Sequence, residues 1–80
     1  MNKVDVRLYT SLRKYHPNPG SSEALVIELG EKAKLGNLLN ELKIPKEEVA
    51  IAMVNGKSEE ASYLLQDGDR IGLFPLIGGG

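Results

Sequence analysis

The sequence contains no cysteine. That absence excludes disulfides, a thiolate nucleophile and any cysteine-ligated zinc or iron–sulfur site, and it fits a reducing, cytoplasmic compartment. An excess of one charge sign is also missing. Lys and Arg total 10 against 11 Asp and Glu, for a net charge of −1. A nucleic-acid binder would need a basic face to release counterions, and a membrane-surface module would need a polybasic stretch. The longest apolar run, Val49 to Val54, is far too short to span a bilayer. Met1 to Asp5 leads directly into a polar alternation, with no apolar leader stretch. G-x-G-x-x-G, P-loop and H-E-x-x-H motifs are absent. Internal repeats are absent too, and low complexity is confined to the final glycines. The expectation is a cytoplasmic protein with no nucleic-acid or membrane partner and no metal.

What remains is one small domain. Eighty residues of 8.7 kDa, 41% hydrophobic and 26% charged, describe an ordinary globular chain. A domain of this size buries only roughly 60% of the surface its unfolded chain exposes. An enclosed active site would hollow out so small a core, which argues against a self-contained enzyme.

Val4, Val6 and Leu8 alternate with Lys3, Asp5, Arg7 and Tyr9, the period of a strand with one buried face. Ser11 to Tyr15 leads into His16-Pro17-Asn18-Pro19-Gly20-Ser21-Ser22, a loop by its turn chemistry. Leu25, Ile27 and Leu29 resume the alternation, predicting an antiparallel partner for the first strand. Leu35, Leu38, Leu39 and Leu42 then form one stripe of an amphipathic helix. Pro45 stops it, and Ala33-Lys34 offers no side-chain cap at its start. Val49 to Val54 is apolar on both faces, as an interior strand covered on each side would be. Asn55-Gly56 is a hairpin turn, leading into a short strand at Lys57-Ser58. Tyr63-Leu64-Leu65 reads as a single turn packed on the sheet, and Asp67-Gly68-Asp69 as a tight turn before a last strand, Arg70 to Phe74. One helix must cover one face of a mixed sheet of four or five strands, a two-layer α+β arrangement.

Several residues that could carry chemistry have plainer readings. His16, the one histidine, reads as a solvated loop residue with no catalytic partner in view. Glu47-Glu48 and Glu59-Glu60 read as solvated surface. Asp67 and Asp69 lack the ligand count that calcium requires and read as turn chemistry.

The end of the sequence, Leu73-Phe74-Pro75-Leu76-Ile77-Gly78-Gly79-Gly80, is the unusual part. If Ile71 and Leu73 face the helix, alternation places Phe74 on the opposite face. Pro75 cannot donate a ladder hydrogen bond, and Leu76 and Ile77 leave apolar surface that a partner would bury. Gly78, Gly79 and Gly80 offer thinness and backbone freedom, and the functional group at such an end is the carboxylate of Gly80. A carboxylate is inert to nucleophiles until an oxygen becomes a good leaving group, as on adenylation with ATP. The tail therefore reads as a substrate presented to another enzyme. The alternative reading is an incidental flexible terminus on a plain interaction domain.

These residues resemble the ubiquitin-like sulfur carriers, above all the small subunit of molybdopterin synthase (MoaD type) and, more distantly, the thiamine-pathway carrier (ThiS type). The resemblance spans nearly the whole sequence: Val6-Arg7-Leu8-Tyr9-Thr10-Ser11-Leu12-Arg13, the leucine helix, Val54-Asn55-Gly56-Lys57, Asp67-Gly68-Asp69-Arg70-Ile71 and the terminal glycines. It implies a β-grasp fold over residues 1–75, with the first and last strands parallel at the sheet centre, and a flexible tail at 76–80. It implies that Gly80 is the reacting residue, adenylated and then converted to a thiocarboxylate that donates sulfur to molybdopterin. Gly78 and Gly79 would be its tail, with Phe74, Pro75, Leu76 and Ile77 binding partners. Those partners would be an E1-like adenylating enzyme (MoeB/ThiF type), which uses ATP, and the synthase large subunit (MoaE type). No cofactor would be bound by the chain itself. Gly78 stands where alanine is common in the synthase subunits, and Leu76 where a second proline is common. A thiamine-type carrier and a protein modifier joined through Gly80 use the same carboxylate chemistry.

Overall fold

The computed structural model describes residues 1–18 and 23–75. Among these residues five strands form one sheet, β1 (Asn2–Leu8), β2 (Leu25–Leu29), β3 (Val49–Val54), β4 (Lys57–Ser58) and β5 (Arg70–Pro75), with one α-helix, α1 (Leu35–Glu41). The sheet order is β2-β1-β5-β3-β4. β1 pairs antiparallel with β2 and parallel with β5, and β3 pairs antiparallel with both β5 and β4. The expected antiparallel first pair and parallel first and last strands are thus both present, with β5 in the middle.

The core lies between one sheet face and α1. Val4, Val6 and Leu8 from β1 and Ile71 and Leu73 from β5 meet Leu35, Leu38 and Leu39 from the helix. Burial of this apolar surface is the main drive for the fold. The helix is shorter than its leucine stripe. It ends at Glu41, and Ile44 N–H then donates back to the carbonyl of Leu39 at 2.9 Å while Lys43 N–H reaches that of Asn40 at 3.1 Å. This is a Schellman closure, with Lys43 at φ 60° in the position that glycine usually fills. Closure therefore precedes Pro45.

The start of α1 resolves the missing cap. Leu35 N–H donates to the carbonyl of Tyr63 and Gly36 N–H to that of Ala61, each at 2.9 Å. Asn37 Oδ1 accepts from Lys34 N–H at 2.7 Å. The orphan donors of the first turn are met largely by main chain from a distant segment. Tyr63-Leu64-Leu65 is accordingly extended, with Leu64 bridged to Lys34, and not the single turn expected from its brevity.

Two further expectations change. Thr10–Tyr15 is a 3₁₀-helix that buries Leu12, where the sequence offered only a lead into a loop. β3 is covered on one face only: Ala52 and Val54 are buried, but Ile51 is 48% exposed. Its apolar run reflects a β-bulge between Val49 and Ile51 and an open outer face, not cover on both sides. Among the described residues, no helix is long and apolar enough to cross a membrane.

Candidate functional site

β5 places its side chains alternately. Ile71, Leu73 and Pro75 are buried, while Arg70 is exposed and Gly72 and Phe74 are half-buried. Phe74 therefore lies on the face opposite the helix, as alternation predicts. There its ring stacks on Tyr9, with centroids 4.4 Å apart and planes 3° from parallel. Tyr9 is held in place by its own N–H, which donates to the carbonyl of Leu73 at 3.2 Å. Pro75 pairs with Val49 beyond the bulge and is buried. Leu76, Ile77, Gly78, Gly79 and Gly80 lie outside the described residues.

Around this aromatic pair the open sheet face forms a trough of about 620 Å³, bordered by Arg7, Tyr9, Met53, Arg70, Gly72 and Phe74. Register explains the grouping. Arg7 and Met53 flank Gly72 on either side, across β1 and β3. Arg70 and Phe74 precede and follow it on the same face of β5. Gly72 is the floor: a methyl group there would lie 3.3 Å from Cε2 of Tyr9 and 3.4 Å from Cε2 of Phe74. Sequence reasoning singled out Phe74 but not the others. The available signals were Arg7 at an outward position of β1 with Tyr9 just past its end, and a glycine inside a strand, which often marks a close approach.

At the end of the sheet where β5 stops, Glu48 joins two segments. Its carboxylate accepts a hydrogen bond from the Tyr15 hydroxyl and pairs with Lys14 Nζ at 3.0 Å. The Tyr15 hydroxyl and the Lys14 ammonium hold the Glu48 carboxyl below the usual carboxylate range. The same hydrogen bond, followed by burial, pushes the Tyr15 phenol up, and the contact with Glu48 raises Lys14. Glu48 is thus a clasp between the two 3₁₀ segments, Thr10–Tyr15 and Lys46–Glu48, and not the solvated surface its sequence suggested.

At the opposite end, Asp69 is only 5% exposed. Its carboxylate accepts from Asn55 Nδ2 and from Gln66 N–H, both at 2.8 Å. Asp67 Oδ1 accepts from Lys3 N–H at 2.7 Å, and Gly68 takes φ +87°. Both aspartates do turn work, as expected. Burial, then the Asp69 carboxylate, pushes the Tyr63 phenol up. His16 departs from expectation: it is 7% exposed, its Nδ1 accepts from Asn18 N–H at 2.9 Å, and its Nε2 lies 3.1 Å from the Glu23 carbonyl. With Nδ1 accepting, the proton sits on Nε2 and donates to Glu23. His16 is a loop fastener. Among the described residues no group of three or more His, Asp or Glu is placed to hold a metal ion.

A sheet with parallel first and last strands, one covering helix and a half-exposed aromatic at the end of its central strand defines a ubiquitin-like β-grasp protein. Residues 1–78 match the family model described as Mut7-C ubiquitin, and the chain belongs to that family. Among solved structures it is similar to a putative molybdopterin converting factor, subunit 1, from Pyrococcus furiosus, at 28% identity and a TM-score of 0.75, covering 96% of this chain and 100% of that one. It shares the fold of SAMP1 from Haloferax volcanii, at 16% identity and a TM-score of 0.72, over 99% of this chain and 100% of that one. The thiamine biosynthesis protein ThiS from Geobacter metallireducens is similar at 19% identity and a TM-score of 0.56, over 95% and 99%. None of the curated proteins compared matches the chain.

Proposed function

We propose that this ubiquitin-like chain is a sulfur carrier that acts as the small subunit of a molybdopterin synthase, with Gly80 as its reacting residue. The observation that carries the reading is the sequence Leu76-Ile77-Gly78-Gly79-Gly80 placed directly after β5, the central strand of a ubiquitin-type domain. The likeness to the Pyrococcus furiosus protein supports the molybdopterin branch over the thiamine branch, since both identity and TM-score are higher.

In this reading an E1-like partner directs a Gly80 carboxylate oxygen onto the α-phosphorus of ATP, and pyrophosphate leaves. The acyl adenylate gives the carbonyl carbon a good leaving group. Hydrosulfide delivered by a partner then attacks the carbonyl carbon, AMP leaves and the S–H proton goes to solvent, and the thiocarboxylate that results donates its sulfur within the large subunit of the synthase. Phe74, Pro75, Leu76 and Ile77 are the partner-binding residues in this scheme, and Gly78 and Gly79 give the tail its narrow cross-section. The chain contributes no catalytic side chain of its own.

Intact-mass analysis of the untagged protein isolated from its own cells tests the proposal. The expected result is a fraction of chains ending at Gly80 in which one oxygen is replaced by sulfur. Deleting Gly80 abolishes that fraction and leaves the melting temperature unchanged. Sulfur transfer by a C-terminally tagged, unprocessed chain would overturn the reading. A second reading, a protein modifier joined through Gly80, is favoured by the shared fold with SAMP1 and is recognised in the same spectra by conjugates of higher mass.

A further inference from the structure

Five asparagines occur in the sequence, and one of them, Asn55, is followed by glycine. An asparagine side chain is open to attack at Cγ by the backbone nitrogen of the next residue. Glycine, with no Cβ, leaves that nitrogen unhindered, whereas Pro19 after Asn18 has no N–H to offer. Asn55 and Gly56 are both exposed at the turn between β3 and β4, and a methyl group on Gly56 would meet nothing nearby. Of the five asparagines, Asn55 is the one disposed to react. The fold holds its side chain elsewhere. Asn55 Nδ2 donates to Asp69 Oδ1 at 2.8 Å, and Asn55 Oδ1 accepts from Arg70 N–H at 2.9 Å. Asn55 N–H itself donates to the Arg70 carbonyl at 2.8 Å. These hydrogen bonds tie Asn55 to the entry of β5, and Asp69, which holds the amide nitrogen, is buried.

We infer that Asn55 is a site of spontaneous deamidation whose rate is governed by its hydrogen bonds to Asp69 and Arg70. In the reaction the Gly56 amide nitrogen gives its proton to hydroxide and attacks Asn55 Cγ. The bond from Cγ to Nδ2 breaks, and the nitrogen leaves as ammonia with a proton taken from water. The cyclic imide that results is opened by water at either carbonyl, giving aspartate or isoaspartate. Water is the sole co-reactant. Ring closure needs a near-attack geometry, and Cγ is kept from Gly56 N while both amide atoms are held at the start of β5. The reaction therefore waits on local opening of the turn. Neither product restores the lock. Aspartate lacks the amide donor and sets a second carboxylate against that of Asp69, and like charges so close disfavour one another. Isoaspartate lengthens the main chain by one carbon inside a tight turn and displaces the pairing of Val54 with Lys57. Either way Asp69 loses a partner that it needs while buried. The site lies within the folded domain and does not depend on what happens chemically at Gly80.

The test is incubation of the full chain at one mildly alkaline pH, with and without urea, followed by ion exchange and peptide mapping by mass. Deamidation exchanges an NH for an O and adds a negative charge. Isomerisation at Asp67-Gly68 changes neither, so the two are distinguished. The expected result is modification at Asn55 ahead of every other asparagine, slower by about tenfold or more in the folded chain than in urea, the factor set by the free energy of opening. Asp69→Ala removes the acceptor of Asn55 Nδ2 and speeds the reaction more than it is sped in wild type brought to the same stability with dilute urea. Asn55→Asp, a copy of one product, melts below the wild type. Equal rates in the folded chain and in urea, a comparison that needs no variant, would overturn the inference. So would equal acceleration by Asp69→Ala and by matched urea, earlier modification of another asparagine, or an Asn55→Asp chain that melts as high as the wild type.

Discussion

The two faces of β5 carry different chemistry in the space of six residues. Toward the helix, Ile71, Leu73 and Pro75 are buried and bring only apolar side chains. Away from it, Arg70, Gly72 and Phe74 present a cation, a bare backbone and an aromatic ring to an open trough. A period of two makes this division possible without any extra structure. A small domain can thus keep a complete core and still offer a shaped surface, provided that the surface is the uncovered side of its most central strand.

Substitutions on the two faces should separate these roles, and the largest effect belongs to the core. Leu73 is fully buried, so Leu73→Ala should cost about 2–5 kcal/mol in urea unfolding. Ile71→Val, a milder version at the same face, should cost about 0.5–1.5 kcal/mol. At the start of the strand, Asp69→Ala strands the Asn55 amide and the Gln66 N–H, and a loss of about 1–3 kcal/mol is expected by the same measurement. Phe74→Ala, on the open face, removes the Tyr9 stack and should cost only about 1 kcal/mol. A cost for Phe74→Ala equal to that of Leu73→Ala would erase the distinction between the faces.

The smallest effect is expected at the clasp and is best seen through pH. The Glu48 carboxyl is lowered, so its contribution is fully present above its unfolded value and is lost as pH falls through the lower, folded one. Lys14 and Tyr15 are raised, so theirs is present below their unfolded values and is lost as pH rises through the folded ones. Melting temperatures of the wild type and Glu48→Gln should therefore differ most near neutral pH and converge in strong acid. A difference unchanged down to acid pH would show that the charge on Glu48 plays no part in the clasp.

Much of this fold was legible in local pattern. Val4, Val6 and Leu8 announced β1, and Asn55-Gly56 takes positive φ at both residues (52° and 86°), as a hairpin turn demands. The alternation through Ile71 and Leu73 placed Phe74 correctly. What local pattern could not reveal is which groups meet across long stretches of chain. The cap of α1 comes from carbonyls at Ala61 and Tyr63, and main-chain atoms leave no mark in a sequence. His16 and Glu48 looked solvated because their partners, Glu23 with Asn18 and Tyr15 with Lys14, lie in separate segments or belong to the backbone. The apolar run of β3 showed two greasy faces, but not that the single helix covers only one. The trough was hidden for the same reason: Arg7, Met53 and Gly72 become neighbours only once β1, β5 and β3 are set side by side.

The position of β5 also has a consequence for how the molecule comes into being. The last of the five strands in chain order is the one that lies between β1 and β3, so Asp5 meets Arg70 only across nearly all of the intervening fold. A seven-residue α1 is too short to persist alone in water, and it too awaits the main chain at residues 61 to 63. In this topology closing the sheet and setting the aromatic end of its central strand are the same step.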